Sequence, residues 1–314
     1  MTHPLAFDES GVQFAWDATS IKIAEECLYK YKLKMLEGWT PFRTSVHLIF
    51  GSHYATALEN YHKKVAAGAD SHEATLDIVH EALIATWEHE LDEEGAPIEG
   101  TGSPWASDHN AKTRENLIRT IVWYLDQFGE DDSCATVQLS NGKPAVELSF
   151  RFEVDNGIMF SGHLDRLVDY SGHTYVQDQK TTGSTITPRY FEQWNPDTQM
   201  SMYSFAGQAI FDLPVKGVMI DAAQIAVGFT RFERGFTFRD ATQLDEWYDN
   251  AMYHIEAARR ATNEQHFPMN TSSCNNFGGC QFRNICSRSP AVRENFLRGD
   301  FEQGERWDPL KVRH

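Results

Sequence analysis

Apolar and polar positions alternate with two different periods along this chain, and the change falls near Cys134. Before it, apolar residues recur at helical spacing. Ala24, Cys27, Leu28, Tyr31 and Met35 follow the i, i+3, i+4, i+7 pattern of one helix face, with Ser20 as cap and Gly38 as stop. Three further helices are predicted over 46–67, 71–94 and 107–128, separated by Gly68, Gly95 and a Gly/Pro/Ser stretch at 99–104. The acidic run Glu88, Glu90, Asp92, Glu93 and Glu94 reads as a solvated helix face and loop.

From Cys134 the period is two. Strands are predicted over 135–139, 145–154, 158–169 and 173–181, with Asn156-Gly157 and Ser171-Gly172 as tight hairpin turns. That is an antiparallel meander. Helical spacing returns over 196–211, and 218–227 is an apolar, β-branched run suited to a strand covered on both faces, so a strand–helix–strand crossover follows. A last long helix is predicted over 241–262, and the Gly/Cys/Asn-rich tail beyond it has no period and needs some other source of order. No internal repeat or linker interrupts the chain. The expectation is one α/β domain over 1–314, with a mainly helical part (1–130), a core (134–262) and a cysteine-rich tail (263–314).

Composition adds exclusions. With 41% hydrophobic and 23% charged residues, the 314-residue chain has a globular make-up and length for a large core. No apolar run approaches the roughly 18 residues of a membrane span, and MTHPLAFDES lacks the character of a signal peptide. A cytoplasmic protein without membrane partners is expected. The net charge of -17 predicts repulsion from a polyanion unless basic groups are gathered locally. Five cysteines are too few for a disulfide scaffold, so their spacing matters more than their number.

Two adjacent strands carry Gly162-His163-Leu164-Asp165 and Asp178-Gln179-Lys180, and the turn at 171–172 brings the two aspartates to neighbouring positions. Alternation puts Asp178 and Lys180 on one face. Carboxylates this close repel unless a cation lies between them, and hard oxygen ligands suit Mg2+ or Mn2+. A lysine beside them can orient water and stabilise charge on a phosphoryl oxygen. An Asp-x-Lys triplet alone is common on surface strands; its company gives it meaning. Glu147, on the preceding strand, is within reach of the same site as a ligand to metal or metal-bound water, or is an exposed strand glutamate. Gln199 and Tyr203, at i, i+4, present one polar helix face.

In order and spacing, Glu147, Gly162-x-x-Asp165, Asp178-x-Lys180 and Gln199-x-x-x-Tyr203 resemble the RecB branch of the PD-(D/E)XK nuclease superfamily. The resemblance implies a restriction-endonuclease-like core, a mixed sheet flanked by helices. It also implies metal-dependent hydrolysis of DNA phosphodiesters, as an exonuclease on single strands or ends, in recombination, repair or foreign and phage DNA processing in a bacterium or phage. Asp165 and Asp178 would bind Mg2+ or Mn2+ with the Gln179 carbonyl as a third oxygen, Lys180 would assist the attacking water, and Gln199 and Tyr203 would hold the DNA strand. A catalytically weak DNA-end-binding subunit is the alternative, with an iron-sulfur redox protein behind it. One departure stands out. The family's exonucleases place a metal-binding histidine four residues after a glycine on an early helix that continues into Leu-Glu. Here Phe50-Gly51 and Leu58-Glu59 frame that helix, but the fourth position is Ala55 and the nearest histidine is His53. Two residues turn a helix by about 200°, so the expectation is a site lacking this ligand, unless a local distortion brings His53 in.

The tail spaces its thiols as Cys274-x5-Cys280-x5-Cys286. A structural zinc site would usually contain a C-x2-C knuckle, which is absent here. RecB-type nucleases with an iron-sulfur cluster, the AddB type and the CRISPR-associated adaptation nuclease among them, join one N-terminal cysteine to three C-terminal ones. The resemblance therefore implies a 4Fe-4S cluster on Cys27, Cys274, Cys280 and Cys286 that folds the tail back near residue 27. It also implies a recombination or CRISPR-adaptation protein as partner. The first tail loop departs from the usual C-x2-C-x5-C. Such a cluster would gather Lys30, Lys32 and Lys34 with Arg283, Arg288, Arg293 and Arg298 into a DNA path. Cys134 reads as a plain core thiol.

Overall fold

A computed structural model describes residues 6–311 apart from 93, 95, 132 and 211–213. Seven strands form one mixed sheet: β1 (Ala15–Trp16), β2 (Cys134–Thr136), β3 (Val146–Glu153), β4 (Met159–Tyr170), β5 (His173–Thr182), β6 (Val215–Ile225) and β7 (Thr230–Thr237). Strand β4 pairs antiparallel with β2, β3 and β5 and parallel with β1. The β4–β5 turn places Ser171 at φ 53 and Gly172 at φ 75, the left-handed pair of a type I′ hairpin. The predicted crossover is present, since β5 and β6 run parallel. Strand β7, antiparallel to β6, was not expected, because its charged Arg231, Glu233 and Arg234 read as loop.

The main helices are α1 (Ala18–Glu26), α2 (Val46–Ala66), α3 (Ser71–Ala85), α4 (Arg114–Phe128), α5 (Thr198–Ile210) and α6 (Ala241–Glu264). Helices cover both faces of the sheet. On one, Phe160, Leu164, Val176 and Ile220 pack with Ile21, Met200 and Ile255 from α1, α5 and α6. On the other, Ala223 and Ile225 pack with Phe50, Leu58, Ile78, Ile121 and Tyr124 from α2, α3 and α4. Among the described residues no helix is long and apolar enough to cross a membrane.

Several elements depart from the periodicity. Asp17 caps α1, with Ser20 as its reciprocal partner in a capping box. The expected continuous helix breaks at Cys27, whose backbone is extended (φ -170, ψ 119), and resumes as a short helix Leu28–Tyr31 and a π-turn Lys32–Leu36. The segment predicted as helix over 71–94 stops at Ala85, and short strands Trp87–Glu88 and Ser103–Pro104 make a hairpin of the acidic stretch. Glu93, Gly95 and Phe211 lie outside the described residues. The tail is ordered by its own apolar side chains. Phe282, Ile285, Leu297 and Phe301 pack on Leu33 and Trp39, and Phe301–Gln303 pairs with Trp39–Pro41. The source of order that the aperiodic tail needed is thus apolar contact with the other end of the chain.

What fixes the centre of the sheet is polar. The β4–β5 ladder ends at Arg166 opposite Gln177. Buried Arg166 donates to the Gln177 Oε1 (3.1 Å), the Thr136 hydroxyl (2.8 Å) and the Cys134 carbonyl (2.8 Å), and lies 3.1 Å from His62 Nε2 of α2. Burial holds His62 well below its ordinary pKa, so its neutral ring accepts from the guanidinium. Gln177 donates to Asp221 Oδ2 of β6 (2.6 Å), as does the Tyr124 hydroxyl of α4 (2.6 Å), and Arg234 of β7 joins the same oxygen at 3.3 Å. One buried network thus ties five strands to two helices. Removing one member strands the others without water, a cost of roughly 3–5 kcal/mol for a buried ionic group. Arg166→Met is therefore expected to lower the stability of unfolding by about that amount, read by urea denaturation, and an unchanged midpoint would contradict it.

Candidate functional site

Just past the Arg166–Gln177 rung the two strands part, and the aspartates stand on either side of the opening. The Asp165 carboxylate accepts the Gln179 backbone N–H at 2.9 Å, so a side chain replaces the next ladder bond. Asp178 is buried, and its Oδ2 lies 2.6 Å from Lys180 Nζ on the same strand face. Burial pushes Asp178 up to about 7; the ammonium of Lys180 opposes the rise and the carboxylate of Asp165 adds to it. For Lys180, burial works against the charge, but Asp178 and Asp165 outweigh it and hold the ammonium above its ordinary pKa. Lys180 also donates to Gln199 Oε1 (3.2 Å), whose Nε2 donates to the Tyr203 hydroxyl (2.9 Å). The indole of Trp194 lies 5.4 Å from the ammonium. Alternation along β5 and the i, i+4 spacing on α5 are thus sufficient to line up Asp178, Lys180, Gln199 and Tyr203.

A cavity of about 30 Å3 lies on the other side of Asp165, lined also by Glu147, Gln179, Ala55, Glu59 and His62. Glu147 falls opposite Asp165 in the β3–β4 register, between the pairs Val146–Arg166 and Leu148–Leu164, and sits at φ 50. A glutamate in the left-handed region is strained, and its neighbours hold it there. Its carboxylate lies 3.7 Å from His163 Nδ1. Gln179 donates from Nε2 to the Tyr124 hydroxyl at 3.4 Å, while its Oε1 is buried without a hydrogen-bond partner.

Helix α2 supplies the far wall. Its Gly51 faces β5, where an added Cβ would lie 3.4 Å from the Thr181 hydroxyl, close to ordinary contact. The fourth position after that glycine, Ala55, faces the cavity. His53 is not brought to the site: it lies about 200° around the helix and its ring packs against Trp105, with centroids 6.2 Å apart. Burial lowers its pKa. Glu59 and His62, one and nearly two turns beyond Ala55, do reach the cavity and were not singled out from sequence. Their signal was the same helical spacing that placed Ala55. Arg166 and Gln177 were also missed, although polar residues in apolar strands beside both aspartates mark them. Among the described residues no three His, Cys, Asp or Glu side chains are drawn together closely enough to hold a metal ion. The carboxylates repel one another, and the Lys180 ammonium already neutralises Asp178.

The four cysteines at the chain's two ends line a single cavity of about 520 Å3. The extended backbone of Cys27 takes its residue out of the helical path, and its Sγ accepts the Asn270 N–H at 3.4 Å. Asn270 and Ser273 side chains both donate to the Glu26 carbonyl at 2.9 Å, so the helix break is sewn to the tail. Cys286 is pushed up to about 11 by burial, with the other three thiols adding to the shift. Cys134 stands apart, buried in the sheet. The basic segments do meet, with Arg293 lying over Tyr29 at 5.6 Å and donating to the Cys286 carbonyl at 3.0 Å. Lys30, Lys32 and Arg298 are, however, ion-paired to Glu26, Glu37 and Glu294.

A solved structure from Eubacterium rectale, named as a candidate exonuclease, is 11% identical, covering 92% of this chain and 94% of its own, with a TM-score of 0.49. The structure of SSO0001 is 12% identical, covering 44% of this chain and 60% of its own, with a TM-score of 0.26. No curated protein matches the chain. The family model described as the PD-(D/E)XK nuclease superfamily matches residues 15–287, from β1 through both aspartates and Lys180 to the last cysteine, and the chain belongs to that superfamily.

Proposed function

We propose that this protein is a metal-dependent deoxyribonuclease that hydrolyses phosphodiester bonds of single-stranded DNA or DNA ends, as an exonuclease, in recombination, repair or foreign-DNA processing. The observation that carries the proposal is the buried Asp178–Lys180 pair beside Asp165 at the parting of β4 and β5. The donor chemistry suits Mg2+ or Mn2+: Asp165 and Asp178 offer hard carboxylate oxygens and Gln179 a carbonyl, Glu147 lines the cavity beside Asp165, and a cation would have to draw these separate groups together. Burial raises Asp178 and the half-buried Asp165 beside it adds to the rise; a divalent cation would relieve that repulsion. When bound there, such an ion would polarise the phosphate and lower the pKa of an attacking water.

The chain's own groups do the rest. Lys180, held protonated by its two carboxylates, is no general base; it orients water and stabilises charge on the phosphoryl oxygen. Gln199 fixes the ammonium and Tyr203 fixes Gln199, and through this pair α5 would help hold the DNA strand. Ala55 in place of a ligand leaves the ion less tightly held, which favours Mn2+ over Mg2+. The whole chain acts as one nuclease domain, its first five and last three residues lying outside the described ones.

We further propose that Cys27, Cys274, Cys280 and Cys286 hold a structural 4Fe-4S cluster. What supports this reading is that the four thiols line one cavity of about 520 Å3, although among the described residues they are not drawn together closely enough to hold a single metal ion. A cubane offers one iron to each of four separate thiolates.

Three measurements test these proposals. In a digest of labelled single-stranded and duplex DNA, the wild type is expected to cut with Mn2+ or Mg2+, and Asp178→Asn or Lys180→Ala to lose roughly 10²–10³-fold in kcat; equal products from Asp178→Asn would end the nuclease reading. Because Asp178 must shed a proton near pH 7 to accept a cation, Mn2+ affinity followed by electron paramagnetic resonance is expected to fall as pH drops below 7 and to level off above it. A flat profile from pH 6 to 8 would remove Asp178 from the ligand set. Protein purified without oxygen is expected to be brown, absorbing broadly near about 400 nm. Cys27→Ala should bleach it and Cys134→Ala should not; colourless protein carrying stoichiometric zinc would replace the cluster with a zinc site.

A further inference from the structure

A second cavity, of about 440 Å3, lies between the π-turn Lys32–Leu36, the Gly162-His163 segment of β4 and the C-terminal residues 305–311. One of its lining residues, His163, is 3.7 Å from Glu147, which lines the cavity beside Asp165. The enclosure is preformed. Gly304 N–H donates to the Gly38 carbonyl (3.0 Å), Trp307 N–H to the Met35 carbonyl (3.1 Å) and the Trp307 indole to Asp17 (3.2 Å), which straps the end of the chain over the turn.

The charges around it are unevenly spent. Asp17 caps α1 and accepts from Trp307, Glu305 pairs with Lys311 at 3.0 Å, and Asp308 accepts the Leu310 N–H at 2.9 Å. On the turn itself, Lys30 and Lys32 are neutralised by Glu26 and Glu37, but among the described residues Lys34 has no carboxylate within ion-pair distance. The π-turn produces this difference. Its wider turn buries Leu33 and Met35 and sets Lys34 on the cavity wall, and such turns recur at functional sites. Burial lowers the Lys34 pKa, and an anion close by would stabilise the ammonium. Arg306, also a lining residue, carries its guanidinium over the Phe7 ring (5.5 Å) and among the described residues is likewise without an ion pair. Lys34 and Arg306 thus line a nucleotide-sized space on a chain of net charge -17, and the Arg306 side chain would swing from Phe7 to reach a phosphate there.

We infer that this cavity binds the sugar–phosphate backbone of the substrate strand beside the cleavage site, with Lys34 and Arg306 as its phosphate contacts. The inference rests on the nuclease reading above. The strand then passes from the strap, along His163, to Asp165 and Asp178, which gives a sequence-independent hold on single-stranded DNA without a basic surface.

Binding of fluorescein-labelled oligothymidylate, followed by anisotropy in EDTA across a salt series, tests it together with steady-state cleavage. The Lys34→Ala/Arg306→Ala protein, checked to melt as the wild type does, is expected to bind about tenfold more weakly, with a salt slope shallower by roughly 1.4, about 0.7 per lost contact. Its KM should rise similarly with kcat preserved. Lys34→Arg should retain wild-type binding, and Lys143→Ala, an exposed lysine outside the cavity, should change neither. Unchanged affinity and slope in the double variant, equal loss in Lys143→Ala, or no oligonucleotide binding by the wild type would overturn the inference. Displacement of the oligonucleotide by micromolar free thymidine monophosphate would assign the cavity to a free nucleotide instead. A wild type that binds through these residues but cleaves nothing sinks the nuclease reading alone; one that cleaves while the double variant is indistinguishable sinks this cavity alone.

Discussion

The rung formed by Arg166 and Gln177 decides where β4 and β5 stop pairing, and the chemistry follows from that decision. A ladder continued by one more residue would bring Asp165 and Asp178 into an ordinary cross-strand pair. Instead the network from Arg166 through Gln177 to Asp221 and Tyr124 anchors the last rung from the face opposite Asp178, and the Asp165 carboxylate takes the next N–H itself. Each member is buried, so each depends on the others for hydrogen bonds that water cannot supply. This rigidity permits two like charges to be kept apart at a fixed separation in a low-dielectric place.

The same burial explains the balance at Asp178 and Lys180. Alone, either charge would be neutralised by desolvation; together they retain an ion pair whose ammonium stands where positive charge is needed against a carboxylate. The pair is stabilised further by Gln199 and by the face of Trp194, groups delivered by the crossover that follows β5. The strained backbone of Glu147 belongs to this balance as well, since it turns a third carboxylate toward a cavity already holding Asp165.

The two ends of the chain form the second centre of the molecule. A break at Cys27, a π-turn after it, a cavity lined by four thiols and a strap closed by Trp307 all lie where residues near 30 meet residues beyond 270. Apolar contacts among Leu33, Trp39, Phe282 and Phe301 assemble this region. Its polar groups are thereby positioned next to β4.

Much of this was legible in the sequence, for a physical reason: strand alternation, hairpin turns and helix spacing are local rules. They place Asp178 with Lys180, set the turn that opposes Asp165 to Asp178, and stack Gln199 over Tyr203. Local rules also put Ala55, and not His53, on the inner face of α2. What local periodicity could not reach is whatever depends on distant partners. The break at Cys27 lies in a stretch with unbroken helical spacing and is held by Asn270 and Ser273, and β7 is recognisable only once Arg234 has Asp221 to meet. Arg166, Gln177 and His62 became parts of the centre because packing buries them against one another, and Glu59 because α2 turns it to the cavity beside Asp165, constraints that exist only after the sheet and its helices have closed.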